Sequence, residues 1–537
     1  MTNRQHLNES PASVPGLSRR AKLLGLAGAA AVVLAVLLAL FLPGLGGSAA
    51  GRYLPAAIPL VTSGVWSYVP EGDGVTIVGY EGTQTLLSVP DTLDGKPVRA
   101  IGSNAFEGHH VDGVFLPEGI TAIRRNAFAY CHFSSITLPA SLETLEELAF
   151  NGCSQLDSIR IPYGVKNVTG NPFTGCTSLS TILAAPDHPC LALMNGALYS
   201  KADRRLICLL PSAEASQNDT FSVPEGVTSI GSYAFSGCRT LVEIVLPDSV
   251  TRIGEGAFES CEGLERIAMG SSLRELGSNA FTTCTALSEI SLPDTLEAIG
   301  DAAFSWCTSL QAITIPSRVT VMGSNPFHGC SPGLQVRLSD GNPALSFTDG
   351  ALYHKGDSRL IYYPAGIGAE TFNVAPGTRI IGARAFSGAS SLKEVGLPAG
   401  LREIGSRAFS GLTALEGVDL PEGLILIGDC AFEGCTSLES AVIPGSVACL
   451  GAGAYSDCSA LRELVLNNGL MVIRENAFAD CPLDHVDLPI SVECVGIGAF
   501  GSGVHLTIPH GSRARQYLET LGMDYAVADL PETSWLR

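Results

Sequence analysis

One pattern of apolar residues returns along almost the whole chain every 22 or 23 residues, and it constrains the fold more than any other feature. A representative copy is residues 246–267, LPDSVTRIGEGAFESCEGLERI. Its clearest marker is an aromatic residue, found at Phe106, Phe128, Phe150, Phe173, Phe235, Phe258, Phe281, Phe304, Phe327, Phe386, Phe409, Phe432, Tyr455, Phe478 and Phe500. A period in the twenties with one aliphatic-rich segment per period predicts a solenoid of stacked turns.

Each unit reads L-P-x-x-[VL]-x-x-I-G-x-x-A-F-x-x-C-x-x-L-x-x-I-x-[LI]-P. In the segment around Ile244 and Leu246, apolar residues alternate with outward ones, which is the period of a β-strand. Pro247 cannot donate to a hydrogen-bond ladder, so it ends the strand. The pattern therefore predicts one short strand per turn.

The remaining conserved letters of the unit indicate how turns stack. The glycine at Gly254 suits a tight corner, either because a Cβ would clash or because φ must be positive. The ring of Phe258 is predicted to point inward and to stack between Phe235 and Phe281 along the solenoid axis. A single turn cannot bury its own ring, so stability must come from neighbouring turns.

This pattern resembles the BspA-type leucine-rich repeats, the surface-protein variety that carries I-G-x-x-A-F-x-x-C. The resemblance covers residues 75 to about 526 and implies a β-rich leucine-rich-repeat solenoid with a 22–23-residue period. It implies a scaffold whose ligands differ from one member to another, because function resides in sites carried by the fold.

The N-terminal segment predicts export and one membrane span. Residues 1–22 form a polar tail that ends in Arg19, Arg20 and Lys22, and residues 23–42 carry no charge. Such a run spans about 30 Å of hydrocarbon as a transmembrane helix. The flanking positive charges place the N-terminus in the cytoplasm and the repeats outside the cell, in the cell membrane as a single-pass protein.

A cleaved signal peptide is the alternative, with a site near Ala50 and a secreted product. The apolar run is longer than the core of about 7 to 15 residues that is typical of cleaved signals. Its length therefore favours a retained signal anchor.

The rest of the chain divides according to where the 22–23-residue period begins and ends. We assign residues 43–74 to a stalk, 75–102 to an N-terminal cap with a turn at 94–95, and 103–509 to the solenoid. Residues 510–537 form a C-terminal cap, in which Ser512 is predicted to cap a helix through Leu521. A solenoid needs caps because its first and last turns would otherwise expose apolar ends and strand edges.

The period breaks twice, near residues 190–225 and 345–376. Each break predicts a β-hairpin with a polar tip, at residues 201–203 and 355–357. Tyr199 and Tyr353 occupy matching places in the two breaks, as do Phe173 and Phe327. The two breaks are therefore copies of one larger duplicated segment.

Cysteines occupy one slot of the repeat, three residues after the aromatic marker. Eleven of the sixteen lie there: Cys131, Cys153, Cys176, Cys238, Cys261, Cys284, Cys307, Cys330, Cys435, Cys458 and Cys481. Ala389, Leu412 and Gly503 replace them in other turns, so the slot is small and apolar. Stacked side chains point in parallel, which disfavours disulfides. We predict free core thiols, with no metal site among them.

Composition and motifs give no sign of catalysis or nucleic-acid binding. The net charge is -20, and no basic stripe could neutralise phosphates. His109, His110 and Asp112 are the closest approach to a metal cluster, but adjacent histidines in an extended segment point apart. The pair at Glu146 and Glu147 is predicted to be a solvated turn. Phosphate loops, nucleophile elbows and H-E-x-x-H are missing, so we expect no enzyme, no cofactor and no metal.

The outward positions of the predicted sheet form the candidate ligand face, because they vary while the buried positions repeat. Its residues are Thr137, Arg160, Glu243, Arg266, Glu289, Glu394, Asp419, Glu463, His485 and Asp487. We expect a cell-surface protein that mediates protein binding or adhesion through this face, with an unknown protein or glycan as ligand. The alternatives are an envelope or assembly protein without a diffusible ligand, and an unrecognised hydrolase.

Overall fold

The computed structural model describes residues 60–210 and 220–528, and each regular turn in it contains two strands. In one turn, Glu243–Val245 is followed by Arg252–Ile253 and then by the A-F-x-x-C segment, which we call the ridge. The sequence predicted only the first of these strands. The second was missed because a strand of two residues is too short to show an alternating pattern.

Sheet A contains the first strand of each turn, and its neighbours pair in parallel. Its strands are Leu86–Ser88, Gly113–Phe115, Ser135–Ile136, Ser158–Arg160, Thr181–Leu183, Thr220–Ser222, Glu243–Val245, Arg266–Ala268, Ala312–Ile315, Gln335–Leu338, Thr371–Asn373, Glu394–Gly396, Ser440–Ile443, Glu463–Leu466, His485–Asp487, His505–Ile508 and Tyr525–Val527. The ladder lapses to single bridges at three places, among them the bridge between Glu394 and Gly417.

Sheet B contains the second strand of each turn and is also parallel. Its strands are Lys96–Ile101, Ala122–Ile123, Thr144–Leu145, Asn167–Val168, Ser229–Ile230, Arg252–Ile253, Glu275–Leu276, Ala298–Ile299, Val321–Met322, Ile380–Ile381, Glu403–Ile404, Leu426–Ile427, Cys449–Leu450, Val472–Ile473 and Cys494–Val495. A Cβ added at Gly254, just after one of them, would lie 2.6 Å from the Ser232 nitrogen of the preceding turn. The close approach of turns, and not a positive φ, therefore requires this glycine.

The aromatic markers form a stack inside the solenoid. The Phe258 ring lies 5.1 Å from the Phe235 ring and 5.0 Å from the Phe281 ring, and both pairs are nearly parallel. All three rings are fully buried. The predicted stacking is confirmed, and each ring gains contacts from both neighbouring turns.

All sixteen cysteines are free thiols, and the prediction is confirmed for the eleven in the slot. The slot cysteines are buried except Cys330, which is half-buried. The Sγ of Cys284 lies 3.1 Å from the carbonyl oxygen of Phe258, one turn earlier, and Cys261 makes the same contact with Phe235. Each thiol is thus a weak donor to a backbone carbonyl of its neighbouring turn.

The two interruptions are three-stranded antiparallel units. Their strands are Leu191–Met194, Ala197–Ser200 and Arg205–Leu209 in the first unit, and Leu345–Thr348, Ala351–His354 and Arg359–Tyr362 in the second. The last strand of each unit pairs in parallel with the next strand of sheet B. A 3-10 helix, Ala365–Ile367, follows the second unit.

These two units act as walls between three hydrophobic cores. In the first unit, Leu198 and Ile207 pack into the core before it, whereas Tyr199 and Leu206 pack into the core after it. The second unit divides its side chains in the same way. We call the parts before, between and after the walls blocks 1, 2 and 3.

An asparagine joins the ridge across each wall. The Asn171 side chain donates from Nδ2 to the Tyr233 carbonyl at 2.8 Å, 62 residues ahead. Asn325 donates in the same way to the Arg384 carbonyl at 2.6 Å. The ridge turn before each wall therefore stacks directly on the ridge turn after it, and this joint explains why Asn-Pro-Phe replaces Ala-Phe there.

Both ends of the described solenoid are closed. At the N-terminal end, the antiparallel strands Val61–Ser63, Trp66–Glu71 and Gly74–Tyr80 extend sheet B, so residues 60–74 of the predicted stalk are folded. The stalk prediction missed the apolar side of the strand, where the ring of Trp66 lies 4.8 Å from the ring of Tyr80.

The turn after Thr92–Leu93 has positive φ at Asp94 and Gly95, as its sequence suggested. At the C-terminal end, helix Ala514–Leu521 packs on the last strand of sheet B. Ser512 accepts a hydrogen bond from the Ala514 amide at 3.3 Å. The first and last turns of the solenoid are thus covered at the two ends of sheet B.

Within the described ranges we find no helix long and apolar enough to cross a membrane. The predicted transmembrane helix, residues 23–42, lies outside those ranges, as does the predicted cleavage region near residue 50.

We predict that the slot thiols resist alkylation in the folded protein. Burial raises the pKa of Cys261 to about 12, and the same cause raises that of Cys435 to about 12. The half-buried Cys190 lies outside the slot. Iodoacetamide at pH 8, followed by peptide mass spectrometry, should modify Cys190 at least about tenfold faster than the slot cysteines. Equal rates for Cys190 and Cys261 would contradict the buried ladder.

A matched pair of tyrosines tests the walls. Tyr353 accepts a hydrogen bond from the Ala375 amide at 3.2 Å, whereas the Tyr199 hydroxyl is buried without a partner among the described residues. Pro224 occupies the place of Ala375 in the first copy and has no N–H to donate.

We therefore expect Tyr353→Phe to lower the free energy of unfolding by about 1 kcal/mol, and Tyr199→Phe to leave it unchanged or raise it. Thermal unfolding of the full chain measures both. A larger loss from Tyr199→Phe than from Tyr353→Phe would show that the hydrogen-bond assignment is wrong.

Candidate ligand-binding face

The solvent side of sheet A, which we call face A, presents two columns of side chains. In block 3 the strand register aligns Thr371 with Glu394, and Ser440 with Glu463. Residues between the columns, such as Val395, point into the core. The columns are Thr371, Glu394, Gly417, Ser440, Glu463, His485 and His505 beside Asn373, Gly396, Asp419, Val442, Val465, Asp487 and Thr507.

Face A carries all ten residues of the predicted ligand face. Nine of them are exposed, and Glu243 is half-buried. They do not form one patch, because the walls divide sheet A. Block 1 holds Thr137 and Arg160, block 2 holds Glu243, Arg266 and Glu289, and block 3 holds Glu394, Asp419, Glu463, His485 and Asp487.

Block 3 has an open depression of about 600 Å³ in face A. It is lined by Thr371, Phe372, Asn373, Glu394, Val395, Gly396, Glu416, Gly417, Val418 and Asp419. Gly396 and Gly417 supply no side chain, and the ladder between Glu394 and Gly417 is reduced to one bridge. The missing side chain at Gly417 and the reduced ladder together create the hollow, while the Asn373 side chain lies over Gly396.

The sequence singled out only two residues of this depression, Glu394 and Asp419. It missed Asn373, which is itself an outward position, and Glu416, which directly precedes one. The signal that could have found the site is a pair of glycines in neighbouring turns, Gly396 and Gly417, at positions where other turns carry side chains.

The charges of face A differ between blocks. In block 2 the Arg266 guanidinium lies 3.9 Å from the Glu243 carboxylate and 3.4 Å from that of Glu265, so opposite charges offset each other. In block 3, Glu394 and Asp419 are in no ion pair among the described residues. The depression therefore carries uncompensated negative charge.

Sheet B is a less available surface. Most of its outward-facing side chains are half-buried, Cys449 and Val472 are buried, and Asn167, Arg252 and Val321 are exposed. Ion pairs along this side join one turn to another: Arg99 with Asp73, Arg124 with Glu71, Lys166 with Glu143, Arg252 with Glu275, Arg274 with Glu297 and Arg474 with Asp429. A smaller hollow of about 300 Å³ lies among such pairs near Glu275. Its charges already have partners.

The other polar clusters are held by the fold. His109 Nε2 lies 2.7 Å from the Tyr80 carbonyl, whereas His110 turns to His132, with their Nδ1 atoms 3.4 Å apart. The adjacent histidines do point apart, and no group of three metal-ligand residues occurs in the described ranges.

The glutamate pair at the corner of sheet B is more tightly held than the predicted solvated turn. Glu146 accepts a hydrogen bond from the Arg125 amide at 2.9 Å, and Glu147 pairs with the Arg125 side chain. Both glutamates are half-buried.

Two glycines should respond oppositely to alanine. A Cβ at Gly417 would meet nothing within 4 Å, whereas one at Gly254 would meet the backbone of Ser232 at 2.6 Å. We expect Gly254→Ala to lower the free energy of unfolding by about 1 to 3 kcal/mol. Gly417→Ala should leave it unchanged or raise it by up to about 1 kcal/mol. Equal losses, measured by thermal unfolding, would show that Gly417 serves packing and not an open site.

The repeat region of the chain matches a known family of leucine-rich repeats. The model of the BspA type leucine rich repeat region matches in six copies, over residues 91–188, 214–332 and 379–507. Curated protein sequences give no match.

Several solved structures are similar to the chain. The pneumococcal vaccine antigen PcpA is 20% identical over 88% of this chain and 99% of its own, with a TM-score of 0.40. A leucine rich cell surface protein from Faecalibacterium prausnitzii is 23% identical over 76% of this chain and 95% of its own, with a TM-score of 0.38. A leucine-rich repeat protein from Eubacterium ventriosum is 22% identical over 53% and 82%, with a TM-score of 0.43.

The family model covers more than half of the chain, and its matched ranges contain the stacked rings, the thiol slot and the two-stranded turns described above. The chain belongs to the BspA-type leucine-rich-repeat family.

Proposed function

We propose that this chain is a cell-surface binding protein that contacts its partner through face A. The observation that carries the proposal is the depression in block 3, which is set in a face whose outward residues vary while its buried residues repeat. In block 2, for example, Ile244 and Ile267 are buried alike, whereas their outward neighbours Val245 and Ala268 differ. A uniform core with a variable face is the arrangement that repeat proteins use for recognition.

The export signals support a position outside the cell. The uncharged run at residues 23–42 follows a basic cluster, as in a membrane anchor whose C-terminal side is extracellular. The BspA-type family, the surface-protein variety of leucine-rich repeats, agrees with this position. Release after a cut near Ala50 would convert the same chain into a soluble binder.

The alternatives have less support. A hydrolase needs two titratable groups that act together, but the two glutamates whose pKa is raised by burial, Glu259 and Glu403, lie in different blocks. A purely structural envelope protein has no use for the hollow or for its unpaired carboxylates. It would also show no saturable binding.

Occluding the depression should remove binding without disturbing the fold. At Gly417 a side chain meets nothing within 4 Å, so Gly417→Tyr places a ring over the hollow. Gly503→Tyr is the matched control. Gly503 aligns with the thiol slot, but in this last turn it is exposed and equally open, and it lies on the ridge. Cells producing the full chain are compared with a deletion strain and with these two variants, at equal surface levels, for attachment to immobilised extracellular proteins and glycans.

We expect deletion to abolish attachment to at least one of these surfaces. Gly417→Tyr should weaken the same attachment by about tenfold, because central residues carry most of the energy of an interface. Gly503→Tyr should leave it intact. Unchanged attachment after deletion, or equal attachment of the two variants, would refute the proposal.

A further inference from the structure

Block 3 presents a strongly acidic face A. Eight exposed carboxylates lie in its two columns and in the positions just before them, against two cations, Lys393 and Arg462. The carboxylates are Glu370, Glu394, Glu416, Asp419, Glu439, Glu463, Asp484 and Asp487. Lys393 is already paired with Glu370 at 3.0 Å. Much of the negative charge on this face has no partner within the described chain.

This imbalance is local. On sheet B, carboxylates and guanidinium groups pair from turn to turn, as Arg274 does with Glu297. In block 2, face A alternates in sign along one column through Glu243, Arg266 and Glu289. Like charges on neighbouring turns repel each other, so an uncompensated acidic face lowers stability unless a ligand of opposite charge uses it.

Three of these carboxylates line the depression, which fixes where a ligand could contact them. Glu394, Glu416 and Asp419 line the hollow, whose floor is open at Gly417. A guanidinium group is planar and donates in a fork that matches carboxylate geometry. The amide of Asn373 lies over Gly396 and adds an acceptor. Gly417, where an added Cβ would meet nothing within 4 Å, leaves room for the arm that carries such a group.

We propose that face A of block 3 binds an arginine- and lysine-rich segment of a partner protein, with one basic side chain seated in the depression. This inference rests on the proposed function and names the chemistry of its partner. Complementary charge would speed encounter and fix orientation, while the hollow would supply the close contact.

A defined probe tests the chemistry. Binding of a fluorescent peptide of nine arginines to the purified full chain in detergent is measured by fluorescence anisotropy, in EDTA to exclude divalent cations. A peptide of nine citrullines has nearly the same shape without the charge. We expect saturable binding of the arginine peptide, little binding of the citrulline peptide, and weakening at high salt.

Two double variants separate the site from net charge. Glu394→Gln with Asp419→Asn removes two charges at the depression, and Glu107→Gln with Asp340→Asn removes two exposed charges elsewhere. We expect the first variant to raise the Kd for the arginine peptide by about tenfold and the second by less than about twofold. Equal weakening in both variants, or equal binding of the citrulline peptide, would overturn the inference.

The outcome can be told apart from failure of the proposed function. If Gly417→Tyr abolishes cell attachment while the Glu394→Gln and Asp419→Asn variant keeps both attachment and peptide binding, face A binds a partner that is not basic. The inference then fails and the proposed function stands. If deletion of the chain leaves attachment unchanged, the proposed function fails whatever the peptide does.

Discussion

Contact between one turn and the next is the interaction on which the whole structure depends. The ring of Phe258 is buried only because the rings of Phe235 and Phe281 lie on either side of it. The Cys284 thiol donates across the same interface to the Phe258 carbonyl, and Gly254 lets the backbones approach. Each buried side chain packs against the turns on either side, so substitutions at buried positions are constrained in every turn. Outward positions on face A make no such contacts and are free to change.

The two walls modify this regular plan. Each inserts an antiparallel unit whose two faces belong to different cores, so the solenoid becomes three blocks joined along the ridge by Asn171 and Asn325. Sheet A is interrupted at each wall, which lets the blocks carry different surfaces. Block 2 has balanced charge on face A, and block 3 has the acidic face with the hollow. Block 3 can therefore carry a different surface from block 2, because the walls divide both the hydrophobic core and sheet A.

The repeat predicted much of this fold, because the features that recur in sequence are those that meet in space. The aromatic stack, the free thiols of the slot and the tight corner at Gly254 follow from the repeat. The second strand could not be predicted, because two residues are too few to show an alternating pattern. The folded residues 60–74 were also missed, because their antiparallel pairing lies outside the repeat. The candidate face was found as single outward residues such as Glu394. The depression in this face could not be predicted, because it depends on how residues of several turns align, and the sequence of one turn does not contain that information.

We propose that the partner protein binds face A of block 3 and not sheet B. Hydrogen–deuterium exchange of the full chain with and without the nine-arginine peptide tests it directly. The segment 416–419 pairs with its neighbour by a single bridge, so its amides should exchange readily until a ligand covers them. We predict slower exchange at 394–396 and 416–419, with no change at Glu403–Ile404 and Leu426–Ile427 of sheet B. Protection confined to sheet B would contradict it.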